Sequence, residues 1–127
     1  MPDEQISAIS KATAQHYTWR SRCDGWHLLK TSGLSVIQEC MPPGTTEVRH
    51  LHQRAQQFFY VLAGEAVMEV DSRSIKLSAG EGIWIPVGAA HQIKNDSGCE
   101  VHFLVISQPP SHGDRVPAPE TPSPDLV

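Results

Sequence analysis

The stretch RHLHQRAQQFFYVLAGE, Arg49 to Glu65, decides how the rest of the chain is read. It sets two histidines one residue apart, then two glutamines, then a run of large apolar residues ended by a glycine. Side chains alternate along a β-strand, so His50 and His52 fall on one face and place two imidazoles side by side. A single H-x-H pair is weak evidence for a metal site, because an ion needs a third and a fourth donor. Two residues are placed to supply them: Gln57 at the start of the apolar run, and His91 after a Pro-x-Gly turn downstream.

Around this stretch the texture is uniform. Brief runs rich in Val, Ile, Phe, Tyr and Trp (WHLLK, LSVIQECM, QFFYVL, EAVMEV, SIKL, GIWIP, HQIKN, EVHFLVIS) alternate with turn residues. Short strands at regular spacing argue for an all-β sandwich or barrel. In EAVMEV the residues Ala66, Met68 and Val70 share one face, as a strand with one buried side requires. Pro42-Pro43-Gly44, Ala63-Gly64, Asp71-Ser72 and Pro86-Val87-Gly88 read as turns. Residues 1–20 form an N-terminal arm, with Ile6, Ile9 and Ala12 at roughly helical spacing, and 21–108 form the barrel. Residues 109–127 hold six prolines and read as an irregular, flexible tail.

Composition narrows the function classes. A chain of 127 residues suits one domain, and 39% hydrophobic with 19% charged residues is ordinary for a globular protein. No apolar run approaches the roughly 20 residues of a membrane span, and the N-terminus shows no signal peptide, so a cytoplasmic location is expected. Three cysteines, Cys23, Cys40 and Cys99, without CxxC spacing suit free thiols in a reducing compartment. A net charge of −4 with no Lys/Arg cluster gives no footprint for nucleic acid. A small-molecule partner is expected instead.

Gly44, His50, His52, Gln57 and Gly64, followed by Gly80, Pro86, Gly88, His91 and Asn95, resemble in order and spacing the two motifs of the cupins. The intervening fifteen residues match the compact, single-domain members. The resemblance implies a small antiparallel jelly-roll β-barrel, or double-stranded β-helix, usually a homodimer. It also implies one divalent transition metal (Mn, Fe, Ni, Zn or Co) held by His50, His52, Gln57 and His91. Gly44, Gly64, Gly80 and Gly88 would serve turns, and Pro86 would fix the bend that delivers His91 inward.

The chain departs from the family at Gln57, where metal-binding cupins most often carry glutamate. A neutral amide is a weaker donor and leaves the ion its full charge, which strengthens it as a Lewis acid for proton transfer. The expected function is therefore isomerase- or lyase-like chemistry on a small polar metabolite. A metal-dependent dioxygenase and a non-catalytic binding or sensing module are the alternatives. Among similar cupins, those that ketonise unsaturated uronates carry an Asp, a Phe and an Arg on and after the last strand. Here that place reads VISQPPS, so only a repositioned tail could bring Asp114 and Arg115 into such roles.

Alternation places Gln57, Phe59 and Val61 inward, with Gln56 and Tyr60 outward. His102 shares a face with Leu104 and Ile106, and a supporting role near the metal stays open for it. Trp26 and Trp84 read as packing residues, and His16, His27 and His112 as solvated or structural ones.

Overall fold

A computed structural model describes residues 6–20 and 22–119, and it is all-β. Eleven strands are formed: β1 (Gln15–Trp19), β2 (Cys23–Lys30), β3 (Ser35–Met41), β4 (His50–His52), β5 (Gln56–Ala63), β6 (Glu65–Val70), β7 (Arg73–Ser78), β8 (Gly82–Ile85), β9 (His91–Lys94), β10 (Val101–Gln108) and β11 (Arg115–Pro117). They build a six-stranded sheet, β1-β2-β3-β10-β5-β8, and a five-stranded one, β11-β4-β9-β6-β7. All the pairings are antiparallel, as expected of a jelly roll. Among the described residues no helix is long and apolar enough to cross a membrane.

Each strand read from the apolar runs is present, and alternation decides what β5, β6 and β10 bury. Along β5 Gln57, Phe59 and Val61 are buried while Gln56, Phe58 and Tyr60 are exposed. Along β6 Ala66 and Met68 point into the core. The core between the sheets is filled by Phe103, Met41, Met68, Ile85, Ile93, Val61 and Val101. Asp71 and Ser72 form a two-residue hairpin loop with both φ positive, 48° and 72°, which matches the twist of β6 and β7. Asn95 is fully buried and satisfied: its Nδ2 donates to the carbonyls of Met41 and Cys99, and its Oδ1 accepts from Ser97.

Both ends of the chain differ from expectation. The segment read as an arm contributes β1, which pairs with β2 along five residues, while Ile6 and Ile9 stand exposed and no helix forms among the described residues of that segment. The segment read as an irregular tail contributes β11, which pairs with β4. Arg49 secures it, donating from its guanidinium to the Ala118 carbonyl while its own carbonyl accepts from the Ala118 amide. Cross-strand hydrogen bonding here outweighs local composition, and Pro117 is tolerated because β11 lies at a sheet edge. Residues 120–127 of the expected tail, and 1–5 of the arm, lie outside the described residues.

Two glycines carry close approaches. At Gly25 a side chain would collide with the Tyr17 ring, which crosses β2 on its way to β3. Gly64 has φ +81°, and a Cβ there would drive into the Glu100 carbonyl. Gly64→Ala is expected to cost roughly 2–4 kcal/mol of folding stability, from the left-handed backbone together with the clash. Urea unfolding monitored by tryptophan fluorescence measures it, with the midpoint falling at an unchanged slope.

Candidate metal centre

Several buried polar residues line one cavity of the barrel, among them His50, His52, Gln57 and Ser107. His50 on β4 lies directly opposite His91 on β9, and His52 follows two residues along on the same face. Gln57 reaches the same cavity from β5 in the facing sheet, so the donors come from both sheets. The ring nitrogens of His50, His52 and His91 converge, with one nitrogen from each within 4.8 Å of the others. All four side chains are nearly inaccessible, at 3, 5, 5 and 0% exposure for His50, His52, Gln57 and His91.

Hydrogen bonds fix which nitrogen of each ring carries its proton. His50 Nδ1 lies 2.7 Å from the Val48 carbonyl, and His91 Nδ1 lies 3.0 Å from the Ala89 carbonyl. A carbonyl oxygen only accepts, so both Nδ1 atoms are protonated and both Nε2 lone pairs are left free. His52 Nδ1 lies 2.7 Å from Asp114 Oδ1, which leaves its Nε2 in the same state. Burial lowers the pKa of all three rings, to about 3 for His50 and about 4 for His91, so they stay neutral. Gln57 donates from Nε2 to Ser107 Oγ at 3.0 Å, leaving Oε1 buried without a partner, as His91 Nε2 is. Buried lone pairs without donors are costly unless something cationic shares them. Three neutral imidazoles and an amide oxygen fit a divalent transition ion, with Asp114 orienting His52 from behind.

The sequence allows Asp114 near the site only if the tail is repositioned, and the tail does fold back and bury it to 4% exposure. Its Oδ2 accepts from the backbone N–H groups of Arg54 and Ala55, at 3.0 and 2.9 Å. Burial pushes its pKa up, but the bonds from His52, Ala55 and Arg54 outweigh that and hold it below the usual range. Arg115, next in the chain, lines the cavity.

Three more cavity residues had no signal in the sequence. Glu39 on β3 and Glu47 before β4 line the space, and Tyr17 on β1 donates to Glu39 Oε2 at 2.6 Å. Burial pushes Glu39 up to about 7, although the Tyr17 hydrogen bond and the Arg115 charge pull the other way. Burial and the Glu39 charge push Glu47 up to about 8, and Glu47 Oε1 has no hydrogen-bond partner. The cavity measures about 280 Å³, with Trp19, Ile37, Phe59 and Val105 as its apolar wall. His112 stands exposed at its rim. His102 points the other way, between the inward-facing Val101 and Phe103, and takes no part here. Trp84 and Tyr60 are on the outer surface.

Residues 37–107 match the family model described as a cupin domain. An uncharacterised protein of Methanocaldococcus jannaschii is 30% identical over 81 residues, 63% of this chain and 65% of that one. An oxalate-binding protein of Thermotoga maritima is 27% identical over 66 residues, 52% of this chain and 54% of its own length. The chain thus spans between half and two thirds of these relatives. The polyketide cyclase RemF of Streptomyces resistomycificus superposes with a TM-score of 0.79 at 16% identity, covering 92% of this chain and 88% of that one, a likeness of fold.

Asp114→Ala strands the buried Ala55 N–H, the part-buried Arg54 N–H and the His52 N–H, at about 1–3 kcal/mol for each unsatisfied buried group. A loss of at least about 2 kcal/mol in chemical denaturation is expected. Arg115→Ala, at an exposed position, should stay within about 0.5 kcal/mol of wild type in the same measurement.

Proposed function

The chain belongs to the cupin family, and from that premise we propose that it is a metal-dependent enzyme moving a proton on a small anionic carbonyl or hydroxyl compound. The observation that carries this reading is the grouping of His50, His52 and His91, with one ring nitrogen of each within 4.8 Å of the others, beside a cavity lined by Gln57, whose Oε1 is buried without a partner, and by Glu39 and Glu47. His50, His52, Gln57 and His91 would hold the ion. When bound, the ion supplies Lewis acidity to a carbonyl or hydroxyl oxygen, undiminished because no ligand is anionic.

The remaining roles fall to the chain's own groups. Arg115 at the cavity mouth binds the substrate's anionic end, a role supported by the name of the oxalate-binding relative. Glu39, poised near neutrality, takes a proton from the carbon beside the carbonyl and returns it at the neighbouring atom. Tyr17 holds the Glu39 carboxyl in place by its 2.6 Å hydrogen bond. The apolar wall excludes water from the exchanging carbon. The reaction needs no redox partner.

We also propose a homodimer. The outer face of the six-stranded sheet carries a ladder of apolar residues across its registers: Leu29, Val36, Ile106, Phe58 and Trp84. Trp84 is 59% exposed and Phe58 39%, an uncharged aromatic surface suited to a second copy.

Protein purified without chelators is expected to carry a divalent transition ion at the barrel centre by mass spectrometry, with one equivalent per chain lost in His52→Ala and in His91→Ala, and with that ion bound more tightly in Gln57→Glu. In D2O, with 2-oxo and 2-hydroxy carboxylates as probes, the wild type should catalyse hydrogen exchange beside the carbonyl without oxygen uptake. Glu39→Gln should lower that exchange by about 10²–10⁴-fold at unchanged metal content. Substrate-dependent oxygen consumption would replace the reading with a dioxygenase, and ligand retention without exchange would replace it with a binding protein. Trp84→Glu combined with Phe58→Glu should sediment as a monomer.

A further inference from the structure

Cys40 and His102 face one another across β3 and β10, on the side of the sheet away from the barrel cavity. Their neighbours Met41, Val101 and Phe103 point inward and are fully buried. Cys40 Sγ lies 3.7 Å from His102 Nε2, and Glu100 Oε1 lies 3.4 Å from the same nitrogen. We infer that Cys40, His102 and Glu100 form a second metal site, on the outer face of the six-stranded sheet, for a borderline-soft divalent ion such as zinc.

The argument is geometric. With bonds of about 2.3 Å to sulfur and about 2.0–2.1 Å to nitrogen and oxygen, a tetrahedral zinc ion separates its S and N donors by about 3.5 Å, and its N and O donors by about 3.3 Å. The two distances found lie within a few tenths of an ångström of those edges, and all three donor atoms lie within 4.8 Å of one another. Thiolate, imidazole and carboxylate together select zinc-like ions over calcium or magnesium. Access comes from the side of Glu100, whose side chain is 60% exposed, and a water can complete the shell there.

The surrounding charge supports a cation. Asp24 stands opposite Cys40 on β2, held by His16 at 2.8 Å, so two carboxylates flank the thiol. Burial, then Glu100 and Asp24, push the Cys40 thiol up to about 11, so without an ion it is protonated. On binding, the S–H bond breaks, a metal–sulfur bond forms and the proton passes to solvent. No electron is transferred. The site is independent of the barrel centre, whose donors include no sulfur.

Cobalt(II) added to the chelator-stripped full chain tests this, because only a thiolate ligand gives a near-ultraviolet sulfur-to-cobalt charge-transfer band. The band is expected in the wild type with an amplitude that corresponds to one thiolate-bound cobalt per chain, and that amplitude is retained in His91→Ala and Cys99→Ser. It should be abolished in Cys40→Ser and weakened at least tenfold in apparent affinity in His102→Ala and in Glu100→Gln, whose side chain is exposed and whose change does not depend on repacking a buried residue. Absence of the band in the wild type, its survival in Cys40→Ser, or unchanged affinity in both His102→Ala and Glu100→Gln would overturn the assignment.

Discussion

The buried carboxylate of Asp114 ties the barrel's polar end together. It accepts from His52 and from the backbone of Arg54 and Ala55, so one anion settles the orientation of an imidazole, the turn between β4 and β5, and the return of the tail. A buried charge survives only with its lone pairs satisfied, and three donors do that here. Once Asp114 is seated, Arg115 follows into β11 and stands at the cavity mouth.

A shared logic governs the other two histidines. Each is buried, so each must satisfy Nδ1 locally, and both do so with a carbonyl two residues before them in the chain. That leaves the inward lone pairs to a ligand. The opposite sheet supplies Gln57, whose amide is turned by Ser107 so that its oxygen is the free atom. On the proposed reading, these donors are oriented before an ion binds, which limits the reorganisation that binding would have to offset.

Glu39 and Tyr17 follow a different principle. Glu39 is an inward residue of a strand otherwise read as apolar, and its neighbour Tyr17 comes from a strand absent from the expected arm. Their meeting depends on Gly25 on the intervening strand, which leaves room for the phenol to pass. Local pattern cannot announce such a contact, because it joins three strands and rests on a missing side chain. The return of the tail that seats Asp114 escapes the sequence for a related reason: a proline-rich segment carries no strand periodicity, and its pairing is dictated by Arg49 and β4 sixty-odd residues away.

By itself the sequence determined what is periodic or punctuated. The alternation in β5 and β6, the turn glycines and the spacing of His50, His52, Gln57 and His91 specify a barrel and the residues that converge in it, because side-chain direction in a strand follows from position alone. Only the tertiary structure decided which strand opposes which: that Tyr17 reaches Glu39, that the tail buries Asp114 behind His52, and that Cys40 meets His102 and Glu100 on the outer face. Those contacts join residues distant in the chain, and hydrogen bonds between strands, which local sequence does not encode, bring them together.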